Sequence, residues 1–115
     1  MNSKELVKVA YKALDDKKGH MINIIDINEV SSMGDYFIIA DGTNKNQVQA
    51  LCDNVEESMQ KAGAKLKNRE GYSNGGWILL DYYDIIIHIF AEEERSFYDL
   101  DHIWRDGKIV SIGDL

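Results

Sequence analysis

The chain contains no proline and one cysteine in 115 residues, and each shortage excludes something. Without proline there is no Pro-rich linker and no cis-proline turn. The lone Cys52 cannot close an intramolecular bridge. That argues against a disulfide-built secreted module, and a reducing compartment, the cytoplasm, is expected. No apolar run approaches the roughly 20 residues of a membrane span. Met1 to Lys18 alternates charge with apolar residues at helical spacing, which predicts neither a signal peptide nor a transmembrane helix. Its acidic residues also separate it from an Arg-rich transit peptide. Basic residues are the last shortage: 13 Lys plus Arg against 20 Asp plus Glu leave a net charge of −7. General phosphate binding is then a poor expectation, because that affinity comes from basic side chains displacing counterions.

What is present is an ordinary globular mixture, 44% apolar and 29% charged, rather than a disordered composition. A chain of this length makes one domain and buries about two-thirds of the surface its unfolded form exposes, so no disulfide or metal is needed to hold a core. The acidity is local. Asp81, Asp84, Glu92, Glu93, Glu94, Asp99 and Asp101 face a single base, Arg95, between residues 81 and 101, a local balance of −6 that leaves −1 for the rest of the chain.

Apolar periodicity predicts the elements. Leu6, Val9, Ala10, Ala13 and Leu14 form a helical stripe, with Asn2 and Glu5 as its capping pair and Gly19 as its stop. Met21 to Ile27, rich in β-branched residues, reads as a strand. Tyr36 to Ala40 reads as a second, apolar throughout and so covered on both faces. Asp41-Gly42-Thr43-Asn44 ends it and caps a second helix striped by Val48, Leu51, Cys52, Val55 and Met59, up to Gly63. Lys65 to Glu70 is a weaker strand. After the Asn74-Gly75-Gly76 turn, Trp77 to Asp81 and Ile85 to Phe90 are two strands joined across Tyr82-Tyr83-Asp84. Phe97, Leu100, Ile103 and Trp104 describe a short third helix, and Ile109, Val110 and Ile112 a docking tail. The expected fold class is α/β: a single domain with a mixed sheet of about five strands and packed helices.

Several side chains invite a catalytic reading and each has a plainer one. His88 lies in an apolar strand with no second ligand at metal spacing, which favours a satisfied core or interface histidine. His20 and His102 form no HxxxH or HExxH pair. Cys52, on a buried stripe, reads as a small core hydrophobe rather than a nucleophile. Gly71 to Gly76 lacks the Lys-Ser/Thr ending of a phosphate loop. Asp81 and Asp84 at a sheet rim would suit Mg²⁺-dependent nucleotidyl transfer. That chemistry also needs a phosphate cradle, and the acid in Asp41-Gly42-Thr43 opposes one. No metal site or cofactor site is expected. Trp77, Tyr82, Tyr83 and Tyr98 around the acidic stretch resemble instead the aromatic anchors of a protein interface facing a basic partner, with sheet core and rim as the plainer alternative.

Ordered motifs point further. Asp35 to Ala40 with Gly42-Thr43, Gln47 to Ala50, Gly71-Tyr72 with Trp77 to Asp81, Asp84 to Phe90, Glu92 to Arg95, Phe97 to Leu100 and Trp104 resemble the ribosomal silencing factor, or Iojap-like, family across nearly the whole of residues 1–115. The resemblance implies a nucleotidyltransferase-like α/β fold without demonstrated transferase activity. It implies binding to ribosomal protein fourteen of the large subunit, a steric block to subunit joining when nutrients run low, and homodimers when free. Organelle relatives act in large-subunit assembly. The partner-contacting residues carried over are Trp77, Leu79, Asp81, Tyr82, Tyr83, Asp84, His88, Phe90, Glu92 and Glu93, with little direct rRNA contact. Two departures stand out: Tyr83 where the family usually has a small residue such as Gly, and Ala40-Asp41-Gly42 where it usually reads Ala-Ser-Gly.

Overall fold

A computed structural model describes residues 2–28, 34–92 and 108–115. The expected third helix, with Tyr98, His102 and the contact residue Glu93, lies outside them. Helix α1 spans Ser3–Asp16 and begins where the Asn2 side chain accepts a hydrogen bond from the Glu5 amide at 2.9 Å, satisfying an otherwise orphaned donor of the first turn. Its buried residues are Val7, Ala10, Ala13 and Leu14, with Leu6 and Val9 partly buried beside them. The buried arc is wider than the expected stripe because α1 sits in a corner, against both the second helix and the sheet. The left-handed residue that ends it is Lys18, at φ 61°. Gly19 serves by closeness instead: its amide donates to the Leu14 carbonyl at 2.8 Å, and a Cβ would lie 3.0 Å from that same oxygen.

Strands β1 (His20–Asp26) and β2 (Tyr36–Gly42) follow, then α2 (Lys45–Lys61), β3 (Asn68–Glu70), β4 (Trp77–Asp81), β5 (Ile85–Ala91) and β6 (Lys108–Val110). Helix α2 is capped from both directions. The Asn44 side chain accepts from the Gln47 amide, and the Gln47 side-chain oxygen reaches back to accept from the Thr43 amide and hydroxyl. All five residues of its expected stripe are buried.

The sheet order is β3-β4-β5-β2-β1-β6, with β2 and β5 parallel and every other pair antiparallel. Six strands therefore stand where about five were expected. The sixth is the tail, where Val110 and Ile109 pair with Ile24 and Ile25. The central pair is buried along all seven residues of each strand, which explains its unbroken apolar character.

Two apolar clusters form on opposite faces of the sheet. One joins α1 and α2 to Ile24, Ile38, Ile78, Leu80, Ile87 and Ile89, among others. The other is built from strand residues: Ile25, Ile27, Phe37, Ile39, Ile86 and Phe90, with Trp77 and Leu79 packed against it. Among the described residues no helix contributes to this second cluster.

Candidate functional site

The β4–β5 hairpin carries nine of the ten sequence-derived contact residues or sits beside them. Its register sets Trp77 opposite Phe90, Leu79 opposite His88 and Asp81 opposite Ile86. Since side chains alternate along a strand, Trp77, Leu79 and Asp81 share the second face with Ile86, His88 and Phe90. The parallel register with β2 adds Phe37, Ile39 and Asp41. Trp77, Leu79 and Asp81 are half-buried, whereas Phe90 and His88 are buried. Gly71, at φ 81°, lets the preceding loop pass so near β4 that a Cβ there would collide with the Trp77 carbonyl.

Aromatic contacts organise this face. The Trp77 indole N–H donates to His88 Nδ1 at 3.1 Å, and its ring stacks on Phe90 with centroids 5.2 Å apart. Phe37 tilts against the imidazole at 4.7 Å. Because Nδ1 accepts, the neutral imidazole carries its proton on Nε2. That buried Nε2 has no hydrogen-bond partner among the described residues. Burial lowers the His88 pKa to about 4, so at neutral pH the ring is uncharged and acts as an acceptor for Trp77 rather than as a general base. The sequence expectation of a satisfied histidine is met at one ring nitrogen only.

The turn sends its two tyrosines in opposite directions. Tyr82 is 6% exposed and packs into the helix-covered cluster. Burial, then Glu56, holds its phenol well above the ordinary value. Its expected place as a surface anchor is corrected accordingly, since strand alternation carries it beneath α2. Tyr83 points outward, and its amide donates to Asp81 Oδ1 at 2.8 Å. Its backbone is left-handed, with φ 72°, a conformation glycine takes without strain. Asp84 is exposed.

The acidic stretch, continuous in sequence, is divided in space. Asp81 and Asp84 lie at one end of β5 and the exposed Glu92 at the other. At roughly 3.3 Å per residue, Asp84 and Glu92 stand about 26 Å apart along the strand. The expectation of one compact acidic and aromatic face is thereby corrected for its described members. Trp77 and Glu92 mark one end, Tyr83 and Asp84 the other, and Leu79 and His88 lie between.

The same division bears on nucleotidyl transfer. An open cleft of about 510 Å³ lies at the carboxyl ends of β2 and β5, lined by Thr43, Asn44, Lys45, Gly75, Gly76 and Glu92. Asp81 and Asp84 are at the far end of the sheet from it, so they are not placed to hold a metal there. A different set, Cys52, Asp53 and Glu56, has metal-ligand proximity, but each member is engaged. Burial and then Glu56 push the Cys52 thiol up to about 12. Asp53 accepts from the Tyr72 hydroxyl at 3.0 Å, and Glu56 from Arg69 at 2.9 Å. A protonated core thiol and two occupied carboxylates describe packing.

Asp41, expected just past the end of its strand, lies within β2, 4% exposed, opposite Phe90. The alternation Phe37, Ile39, Asp41 was the available signal, obscured because β2 is apolar on both faces.

The family described as "Ribosomal silencing factor during starvation" matches residues 1–115. The ribosomal silencing factor RsfS of Bacillus subtilis is 34% identical over 112 residues, 97% of this chain and 95% of that protein. Its counterpart from Halalkalibacterium halodurans is 33% identical over 112 residues, 97% of this chain and 96% of its own length. The crystal structure of a Chromobacterium violaceum protein superposes with a TM-score of 0.89 at 32% identity, covering 96% of this chain and 92% of that one.

Proposed function

The chain belongs to the ribosomal silencing factor family, and we propose that it represses translation by binding ribosomal protein fourteen of the large subunit and so blocking the approach of the small subunit. The observation that carries this reading is the family match over residues 1–115. Occlusion needs no chemistry from the bound protein, only a surface of the right shape and charge. The contact surface we propose is the β4–β5 hairpin. Trp77 and Leu79 supply apolar anchors; Asp81, Asp84, Tyr83 and Glu92 surround them. His88 and Phe90 act from beneath by fixing the Trp77 ring, and Tyr82 acts by pinning the turn to the core. Glu93 belongs to the same proposed set from its sequence position alone.

The net charge of −7 supports a basic protein partner over direct contact with rRNA. The free protein is proposed to be a homodimer and to act in the cytoplasm, without catalytic activity. No helix among the described residues is long and apolar enough to cross a membrane. Purified large subunits mixed with the chain should retain it on pelleting and should then join small subunits poorly. Full joining activity at saturating occupancy would overturn the repression mechanism, and absence of pelleting would overturn ribosome binding. Light scattering of the free protein checks the dimer.

A further inference from the structure

Tyr83 combines two properties that ordinarily exclude one another. Its φ of 72° lies where a Cβ crowds the backbone and glycine is the unstrained occupant, yet it carries a large aromatic ring that is 49% exposed. It is the one aromatic among the large apolar side chains exposed on the described residues. Packing does not offset the strain, because the adjacent Tyr82 is the residue that enters the core. The backbone bond to Asp81 would form with glycine at this position as well. The ring's neighbour is the Lys67 ammonium, 5.6 Å from the ring centre, a solvent-exposed arrangement of small worth. Among the described residues that weak contact is the ring's one return, and strain without a larger internal return marks functional positions.

We infer that Tyr83 is a contact for a cationic side chain on a protein partner, held outward by a strained turn at the expense of fold stability. The inference rests on the hairpin being the ribosome-binding surface, and it adds a residue-level chemistry to that reading. The ring already accommodates one ammonium group, so its quadrupole is placed to meet a cation. The exposed Asp84 carboxylate adjoins it and can pair with the same arginine or lysine. The turn is also fixed in direction: the Asp84 carbonyl accepts hydrogen bonds from the Asp35 amide at 2.7 Å and the Tyr36 amide at 3.1 Å. These bonds anchor it to the start of β2, so little ordering remains to be done on binding.

Three variants separate ring from strain. Tyr83→Gly should raise the midpoint of chemical denaturation while lowering affinity for purified large subunits tenfold or more. Tyr83→Ala keeps the Cβ and hence the strain, so it should lose affinity similarly without the gain in stability. Tyr83→Phe keeps the ring and should bind within about threefold of the wild type, since the cation meets the ring face. A photoreactive benzoylphenylalanine at the same position should crosslink to a ribosomal protein. Glycine and alanine variants that bind like the wild type would overturn this inference alone, and so would crosslinks confined to rRNA. A wild-type chain that fails to bind large subunits overturns the hairpin reading along with it.

Discussion

The two faces of the sheet are made of the same strands and differ in what they bury. The helix-covered face is mostly aliphatic, with Ile38, Leu80, Ile87 and Ile89 fully enclosed beneath α1 and α2. The opposite face carries the stacked Trp77, His88 and Phe90 rings, and alternation places there both of the buried polar residues found among the described ones, Asp41 and His88. A mostly aliphatic face is a stability device: each fully buried Ile or Leu contributes about 2 kcal/mol by its apolar area alone. A face whose imidazole nitrogen finds no partner among the described residues gives up part of that return. The hairpin's hydrophobicity thus has two uses, one inward for folding and one around a half-exposed tryptophan.

Four perturbations act differently on the two faces. Leu80→Ala, on the helix-covered face, should destabilise the fold by about 3 kcal/mol through lost burial and a cavity. Urea denaturation reads the loss, and the folded fraction should still bind large subunits normally. Lowering pH tests the other face. His88 has a folded pKa of about 4 against roughly 6.5 unfolded. The unfolded state therefore binds the extra proton first as pH falls. Stability from this group is fully present above 6.5 and declines by about 3 kcal/mol by pH 4. His88→Gln, which retains an acceptor for Trp77, should remove that part of the pH dependence in parallel denaturation curves.

Trp77→Ala should weaken large-subunit binding by about 2 kcal/mol. Trp77→Phe, which keeps an aromatic ring beside Phe90, should lose less. Equal loss for both would assign the effect to the indole N–H bond with His88 rather than to the anchor surface. The smallest effect concerns charge. Asp84→Lys should slow association severalfold at low ionic strength and little at high salt, and a rate unchanged at low salt would remove steering from the mechanism.

Much of the fold was legible because its signals are local. Asn2 and Asn44 cap their helices as the spacing predicted, and the α2 stripe, including Cys52, is buried residue for residue. The hairpin was readable from Trp77 to Asp81 and Ile85 to Phe90 for the same reason. Less was legible at the site. Tyr82 and Tyr83 are adjacent and chemically alike, so only the pleat and the left-handed turn distinguish the core residue from the exposed one. Asp41 looked like a cap because Asp-Gly ordinarily ends a strand, whereas the parallel pairing with β5 extends β2 through Gly42.

Composition and periodicity, which act over a few residues at a time, were enough for the two described helices, the main strands and the exclusion of an intramolecular disulfide, and the ordered motifs were enough for the family. The choice of neighbouring strands is a long-range property. That choice put β5 beside β2, added β6 to the edge, and carried Asp84 and Glu92 to opposite ends of one strand. Charge counted along a chain is a sum. The field a partner meets depends on distance, and distance is set by long-range strand pairing that no local pattern encodes.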